Sequence, residues 1–281
     1  ALWSDYMRLH VAIHNRHRTS QDKQQAFATY IEPALGSWPI SEVDRPMLEE
    51  FLVGLAQKGT STQRKVHRYL SSCFGFALER GDIAHNPFTS MKAPKPAPPR
   101  ERVLSDEEIR AFWWSEVHAV YVPMLRFTLL TGARFGNVKQ LSWQQLDLNQ
   151  RLWSIPAQAF KTGKPHHVPL SDLAVDVLEA IPRWEAGDFV FTTRGGEKPF
   201  GNVGKTHAKL LQATATSGWH RHDVRRTAGT ILQRSGFPLE VVAAFLGHKL
   251  QGVTAIYLRH DYALEKRKAA AELASVIARN I

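Results

Sequence analysis

The sequence predicts a mainly α chain with one small β-sheet, an α+β protein built in two parts. Three observations carry this. Apolar residues recur at intervals of three and four along most of the chain; residues 144–170 switch to short strand-like segments; and a proline-rich stretch at 91–102 divides a wholly helical part from the part that holds the strands.

In chain order, "LWSDYMRLHVAIHNRH" spaces Leu2, Tyr6, Leu9 and Ile13 on one helical face. A second helix is predicted from a cap at Thr19 or Ser20 through "QQAFATYIEPAL" to Gly36, with Pro33 leaving its end open. "RPMLEEFLVGLAQKG" is a third, closed by Gly59, and "STQRKVHRYLSSCFGFALERG" a fourth, capped by Ser61 and ended by Gly81. Residues 1–90 thus form a helical bundle. On the fourth helix Arg64 and Arg68 share a face beside Gln63 and Lys65, while Leu70, Phe74 and Leu78 face the bundle. The linker "MKAPKPAPPRER", residues 91–102, is stiff and basic, Lys95 included; it reads either as a spacer or as a strap along an anionic partner. The second domain, 103–281, opens with a capping box, "SDEE" at 105–108. The apolar helix "YVPMLRFTLLTG" and the short helix "FGNVKQLSW" follow. "QQLDL", "RLWSIPA" and "HHVPL" are strands, the last two joined by "FKTGKP". "DLAVDVLEAI" is helical, "FVFTT" a short edge strand, and nearly everything from 202 onward helical.

The chain of 281 residues, 43% hydrophobic, has enough apolar material for two cores. Its net charge is +10; residues 1–99 carry 12 basic and 9 acidic groups and the remainder 24 and 17, so both parts are positive. A polyanionic partner, nucleic acid first among them, competes with the reading of a merely basic protein. A single cysteine, Cys73 in "SSCFGFAL", excludes an internal disulfide framework and a cysteine-rich zinc site, and reads as a core thiol. No apolar run approaches the roughly 18 residues of a membrane helix, and "ALWSDYMRLH" lacks a signal-peptide pattern, so the cytoplasm is expected. The absent initiator Met points to residues upstream of Ala1.

"HDVRRTAGT", 222–230, sets a His, an Asp and two Arg where a helix begins to turn apolar. It is either a solvated helix end or a grip on an anion. A helix starting here puts His222 and Arg225 on one face with Arg226 close by, and its N-terminus adds positive potential. Three other places favour the grip. "LLTGARFGNVKQL" brings Arg134 just past an apolar helix and a glycine turn, where an unpaired charge is costly. "FKTGKPHHVPL" sets Lys161 near a hairpin turn, with Lys164 as its rival. "FLGHKLQGVTAIYLRHDY" places His248 nine residues before Tyr257, with Tyr262 a rival five residues on.

Taken together and in order, "TGARFGN", "KTGKPHHVPLS", "HDVRRTAGT", "LGHK" and "AIYLRHDY" resemble the boxes of the tyrosine recombinase (phage integrase) family across essentially the whole second domain. The flavour is that of integrases from phages and integrative elements. The first domain and linker resemble that family's core-binding domain and connector. The resemblance implies a site-specific DNA recombinase in which Tyr257 attacks a phosphodiester, leaving a 3′-phosphotyrosyl link and a free 5′-hydroxyl. It gives His222 the general-base position, Arg134 and Arg225 the clamp on the non-bridging oxygens, Lys161 the general acid, and His248 a hydrogen bond to the scissile phosphate. The covalent bond conserves energy, so neither metal nor ATP nor any other cofactor is expected; the sequence has no phosphate-binding glycine loop or metal-type carboxylate cluster.

Further expectations follow from the same resemblance. Gln63, Arg64, Lys65, Arg68, Lys95 and Arg226 would contact DNA, and His166, His167, His220 and His260 would be surface or DNA-contacting groups. The partner would be duplex DNA held between the two domains as in a clamp, with a homotetramer assembled on it, accessory DNA-bending proteins, no membrane, and a place at the bacterial nucleoid. If residues precede Ala1, an arm-site-binding domain is among them. The amphipathic "LEKRKAAAELASVIARNI" would dock on a neighbouring subunit or on its own domain. One departure stands out: Asn137 occupies the place, three after Arg134, where the family usually has an acidic residue. The rival readings are a type IB topoisomerase and a catalytically inert DNA-binding regulator; the retained tyrosine, arginines, lysine and histidines argue against the second.

Overall fold

Helical periodicity, and the wider turns that interrupt it, build the first part of the chain. The computed structural model describes residues 2–158, 165–248 and 261–281. It contains two units, Ala1–Arg100 and Glu101–Ile281. Lys161, Lys164, Tyr257 and His260 lie outside the described residues.

In the first unit, α1 (Leu2–Tyr6) passes through a π-helical turn, Met7–Val11, into α2 (Ala12–His14). That turn changes which positions face inward. Trp3, Tyr6 and Val11 are buried, whereas Leu9 and Ile13, expected on the inner face, are exposed. An α-helical count assumes 3.6 residues per turn, and the π turn adds one. The second helix, α3 (His17–Ala26), starts earlier than Thr19 or Ser20, with Arg16 as its N-cap, and continues through a π turn, Phe27–Ile31, into α4 (Glu32–Leu35). The wide turn lets the helix carry Pro33, which has no N–H to donate. α5 (Arg45–Ala56) is capped by Asp44, whose side chain accepts from the Met47 N–H at 3.0 Å. α6 (Thr60–Arg80) is capped by Gly59, not Ser61. The α5–α6 turn requires φ of +101° at position 59, a conformation suited to glycine, and the helix starts at once from there. α6 ends at Gly81, in the left-handed conformation. Leu70, Phe74 and Cys73 are buried in this unit's core, but Leu78 is exposed one turn from the helix end. Burial pushes the Cys73 thiol up to about 12.

The second unit is organised around one helix. α7 (Asp106–Trp113) begins at the complete capping box of Ser105 and Glu108. α8 (Tyr121–Thr131) is apolar nearly all round and packs against helices on several sides, as a central core helix must. It ends at Gly132, and α9 (Phe135–Lys139) follows. Strands β1 (Leu146–Asp147), β2 (Leu152–Ile155) and β3 (His166–Pro169) form an antiparallel sheet in that order, with Trp153 opposite Val168 and Ile155 opposite His166. α10 (Asp172–Glu179), α11 (Val203–Ala213), α12 (Arg221–Arg234), α13 (Leu239–Leu246) and α14 (Ala263–Asn280) complete the unit. "FVFTT" does not join the sheet: Phe189 makes an isolated bridge to Ser142, and the main chain on either side bonds to Leu141 and Trp143. The α9 exit already supplies its partner, so it has no strand of the sheet to extend. α14 buries Ala269, Ala270, Leu273, Ala274 and Ile277 against α8, α10, α12, α13 and β3, so the C-terminal helix packs on its own unit.

Candidate active site

Half of the charge at the start of α12 serves the fold. Asp223 is only 1% exposed; its carboxylate accepts from the His220 backbone N–H at 2.8 Å and pairs with Arg226. Arg226 also donates to the Arg102 carbonyl at 3.3 Å. Thr227 accepts from the Leu104 N–H and donates to the Asp223 carbonyl, tying the chain before α7 to this helix. Arg226, expected to contact DNA, is thus engaged within its own unit, although its side chain keeps 29% exposure.

The other half points the opposite way. Arg225 is 3% exposed, and a buried guanidinium needs acceptors for its donors. Two helix ends supply them. α8 and α13 both stop at a glycine in the left-handed conformation, Gly132 and Gly247, and helix C-termini leave carbonyls unpaired. Arg225 donates to the Gly132 carbonyl at 2.5 Å and to the Leu246 carbonyl at 2.7 Å. A Cβ at position 132 would lie 2.7 Å from Leu246 Cδ2 and would have to displace that side chain, at a φ of +57° that favours glycine. Arg134, from the turn after α8, donates to the Gly247 carbonyl at 3.4 Å. The negative ends of two helix dipoles therefore hold the guanidinium pair.

His248 completes this cluster. Its Nε2 lies 2.8 Å from an Arg225 nitrogen. A guanidinium only donates, so Nε2 accepts and the neutral ring carries its proton on Nδ1. Burial first, then Arg225 and Arg134, push His248 down to about 4, in agreement with a neutral ring. Burial, followed by Arg134, pushes Arg225 down to about 9, still protonated at neutral pH. His222 stands at the exposed rim of α12, its ring held below the usual range by partial burial and then by Arg225 and Arg226. A neutral imidazole facing two cations can accept a proton; two guanidiniums side by side can hold the charge of an anion.

Arg134, His222, Arg225 and His248 are thus in one cluster, while Lys161 and Tyr257 fall outside the described residues. Tyr262 caps α14 with φ +55°. Asn137 donates its backbone N–H to the Arg134 carbonyl at 2.7 Å. His167 and His220 are exposed, and His167 meets Ser154 Oγ at 3.0 Å. His166, read from the sequence as a surface or DNA-contacting group, is half-buried, and burial, then Lys266, lower it to about 4. The period of two along "HHVPL" carried the signal, since His166 lies on the same face as the buried Val168. Lys266, 7% exposed and donating to the His167 carbonyl at 3.4 Å, was missed altogether; nothing in an amphipathic helix marks one lysine as buried.

In the first unit the predicted basic face of α6 lines a groove of about 670 Å³ with Arg64, Lys65 and Arg68. Gln63 donates to the Leu52 carbonyl at 3.0 Å, Arg64 to the Pro94 carbonyl, and Lys65 pairs with Asp22 at 3.2 Å. Arg68 lies over the Tyr69 ring, and Lys95 is exposed.

Comparisons with known proteins add a lineage to this geometry. Residues 110–263 match the model of the Phage integrase family, and residues 4–94 that of the Phage integrase central domain. Prophage integrase IntA of Escherichia coli (strain K12) is 27% identical over 247 residues, 85% of this chain and 60% of that protein. Prophage integrase IntZ of the same strain is 25% identical over 260 residues, 88% of this chain and 63% of that one. The chain therefore spans about three fifths of the length of these two relatives. A lambda integrase dimer bound to a COC' core site shares the fold with a TM-score of 0.73 at 17% identity, covering 93% of this chain and 77% of that one.

Proposed function

Since this chain belongs to the phage integrase family, we propose that it is a site-specific tyrosine recombinase that cuts and rejoins DNA strands. The observation that carries the reading is the pair of arginines, Arg225 and Arg134, held side by side on helix-end carbonyls with two neutral histidines at their edge. Such a site is organised for a group that gains negative charge during reaction.

In this mechanism Tyr257 Oη attacks the scissile phosphorus. Its proton passes to His222, whose lowered pKa keeps the ring neutral and able to accept at neutral pH. The Tyr257 O–P bond forms as the P–O5′ bond breaks. The two guanidiniums, fixed by the carbonyls behind them, face the phosphorane oxygens. His248 has its donor at Nδ1 and offers it to the same phosphate. Lys161 gives its proton to the leaving 5′-oxygen. Reversal with a 5′-hydroxyl from another strand rejoins the DNA, so bond energy is conserved in the phosphotyrosine.

The partner in this reading is duplex DNA, with residues 1–90 contacting it through α6, the strap at 91–102 following the backbone, and 103–281 performing the chemistry. Lys65, Arg68 and Lys95 would meet phosphates, giving steep salt dependence. Strand exchange joins two duplexes, which favours a homotetramer on DNA. Among the described residues no helix is long and apolar enough to cross a membrane; the bacterial cytoplasm, at the nucleoid, is the proposed location.

A nicked suicide substrate tests the reading. The wild-type chain should form a covalent protein–DNA adduct, and Tyr257→Phe should form none. An adduct that persists in Tyr257→Phe would overturn the assignment. Exchange between two defined sites is expected; relaxation of a supercoiled circle lacking them would favour the topoisomerase alternative.

A further inference from the structure

A buried imidazole outside the arginine cluster bridges two elements to which it does not itself belong. His207, on α11, has its Nε2 3.1 Å from the Trp219 carbonyl, just ahead of α12. Its Nδ1 lies 2.9 Å from the hydroxyl of Tyr121, the first residue of α8. All three side chains are buried, and the His207 ring meets the Trp219 indole edge-on at 4.7 Å. The indole is anchored in turn, its Nε1 donating to Thr216 Oγ1 at 3.0 Å. A carbonyl only accepts, so His207 Nε2 carries the proton. Burial holds this ring below its usual range; it is neutral, and its Nδ1 accepts from the Tyr121 O–H. The bonds run one way, from α8 through His207 to the backbone before α12.

That backbone leads directly to His222. Trp219 precedes His220, the N-cap of α12, and His222 is the second residue of the helix. Arg225 is fixed by its own side chain on the Gly132 and Leu246 carbonyls. Among the described residues no hydrogen bond holds the His222 ring, so its place depends on the main chain beneath it. We propose that His207 is a positioning residue for strand cleavage: by linking the Tyr121 hydroxyl to the Trp219 carbonyl, it fixes the start of α12 and so the place of His222. It touches no substrate. A displacement of about 1 Å in a group that must accept a proton costs rate without costing affinity. The inference rests on the recombinase reading above.

Its test compares His207→Leu, which breaks both bonds, with His207→Gln, which keeps a donor and an acceptor, and with Tyr121→Phe, which removes a single oxygen. Single-turnover cleavage of the suicide substrate is measured at saturating DNA, alongside DNA Kd and melting temperature. The expected rate is about tenfold lower in His207→Leu, about threefold lower in Tyr121→Phe and within about threefold of wild type in His207→Gln, with Kd within about twofold throughout. Each substitution is then repeated in a His222→Ala background. There His207→Leu and Tyr121→Phe should each change the residual rate by less than about twofold, because the group they misplace is gone. Tyr121→Phe carries the test alone if His207→Leu does not fold. The proposal is overturned if the folded variants cleave at the wild-type rate, if a folded His207→Leu is as fast as His207→Gln, if the losses are as large without His222 as with it, or if rate falls only in step with melting temperature or affinity. Failure of the wild-type chain to form any adduct would instead overturn the recombinase reading, so the two failures are distinct.

Discussion

The two basic regions of this chain handle charge in opposite ways. On α6, Lys65 and Arg68 lie on an open groove, and their partners are a carboxylate and an aromatic face that a phosphate can replace. In the second unit, Arg225 is 3% exposed and bonded to two backbone carbonyls and a histidine, partners that cannot leave. The first arrangement suits attraction: it is screened by salt and interchangeable among cations. The second suits chemistry, because preorganised donors at a reacting centre need not rearrange as charge develops. A cation held by carboxylates would lose much of its field; one held by neutral carbonyls keeps its charge.

The largest effect should separate the two regions. Arg225→Lys retains charge but loses the fork that reaches both Gly132 and Leu246 carbonyls, and cleavage at saturating DNA should fall by about 10²- to 10³-fold. Its DNA affinity should stay within about threefold, since one buried cation adds little to the electrostatic whole. Equal losses in rate and affinity would erase the distinction.

The converse pair is Lys65→Ala with Arg68→Ala. Here DNA Kd should weaken by about tenfold, and the slope of log K against log salt should fall by about 1 per phosphate contact removed. The cleavage rate at saturation should not change. Filter binding across a salt series, paired with single-turnover kinetics, reads both.

Acid should affect the second unit more. His166 and His248 are lowered to about 4 from 6.5. Between those values the unfolded chain binds protons that the folded chain refuses, so this stability is full above about pH 6.5 and is lost as pH falls toward 4. Discounted for partial exposure, each contributes about 1 kcal/mol, and together they should lower melting by about 5 °C between pH 7.5 and 5. Hydrogen exchange on the whole chain should show protection falling in residues 101–281 more than in 1–100, where among the described residues His67 is the one histidine held below its usual range.

The smallest effect belongs to Asn137. Its backbone already bonds to the Arg134 carbonyl, so Asn137→Glu should leave strand cleavage no slower than wild type, within about twofold. A large loss, read in the same single-turnover assay, would mean that the surroundings of Arg134 are organised differently.

Much of this was legible in the sequence, for identifiable reasons. The capping box at Ser105, the glycine stops at Gly81 and Gly132, and the switch to strand periodicity near Trp153 are local signals, and the structure follows them. The clustering of Arg134, His222, Arg225 and His248 was anticipated through family resemblance, not through spacing alone. What escaped had non-local causes. Leu9 and Ile13 were misassigned because a π turn changes the count without an evident residue to announce it. Phe189 looked like a strand because its partner, Ser142, lies far back in sequence. His166 is read as a surface or DNA-contacting group, and Lys266 passes unnoticed, until the C-terminal helix packs against β3.

The most direct test replaces one non-bridging oxygen of the scissile phosphate with a methyl group, which removes the charge that the guanidinium pair is proposed to stabilise. Arg225→Ala, severely impaired on ordinary DNA, should recover by about tenfold or more on the methylphosphonate substrate relative to wild type on the same DNA. If that variant is impaired equally on both substrates, Arg225 does not face the reacting phosphate and the account of this site is wrong.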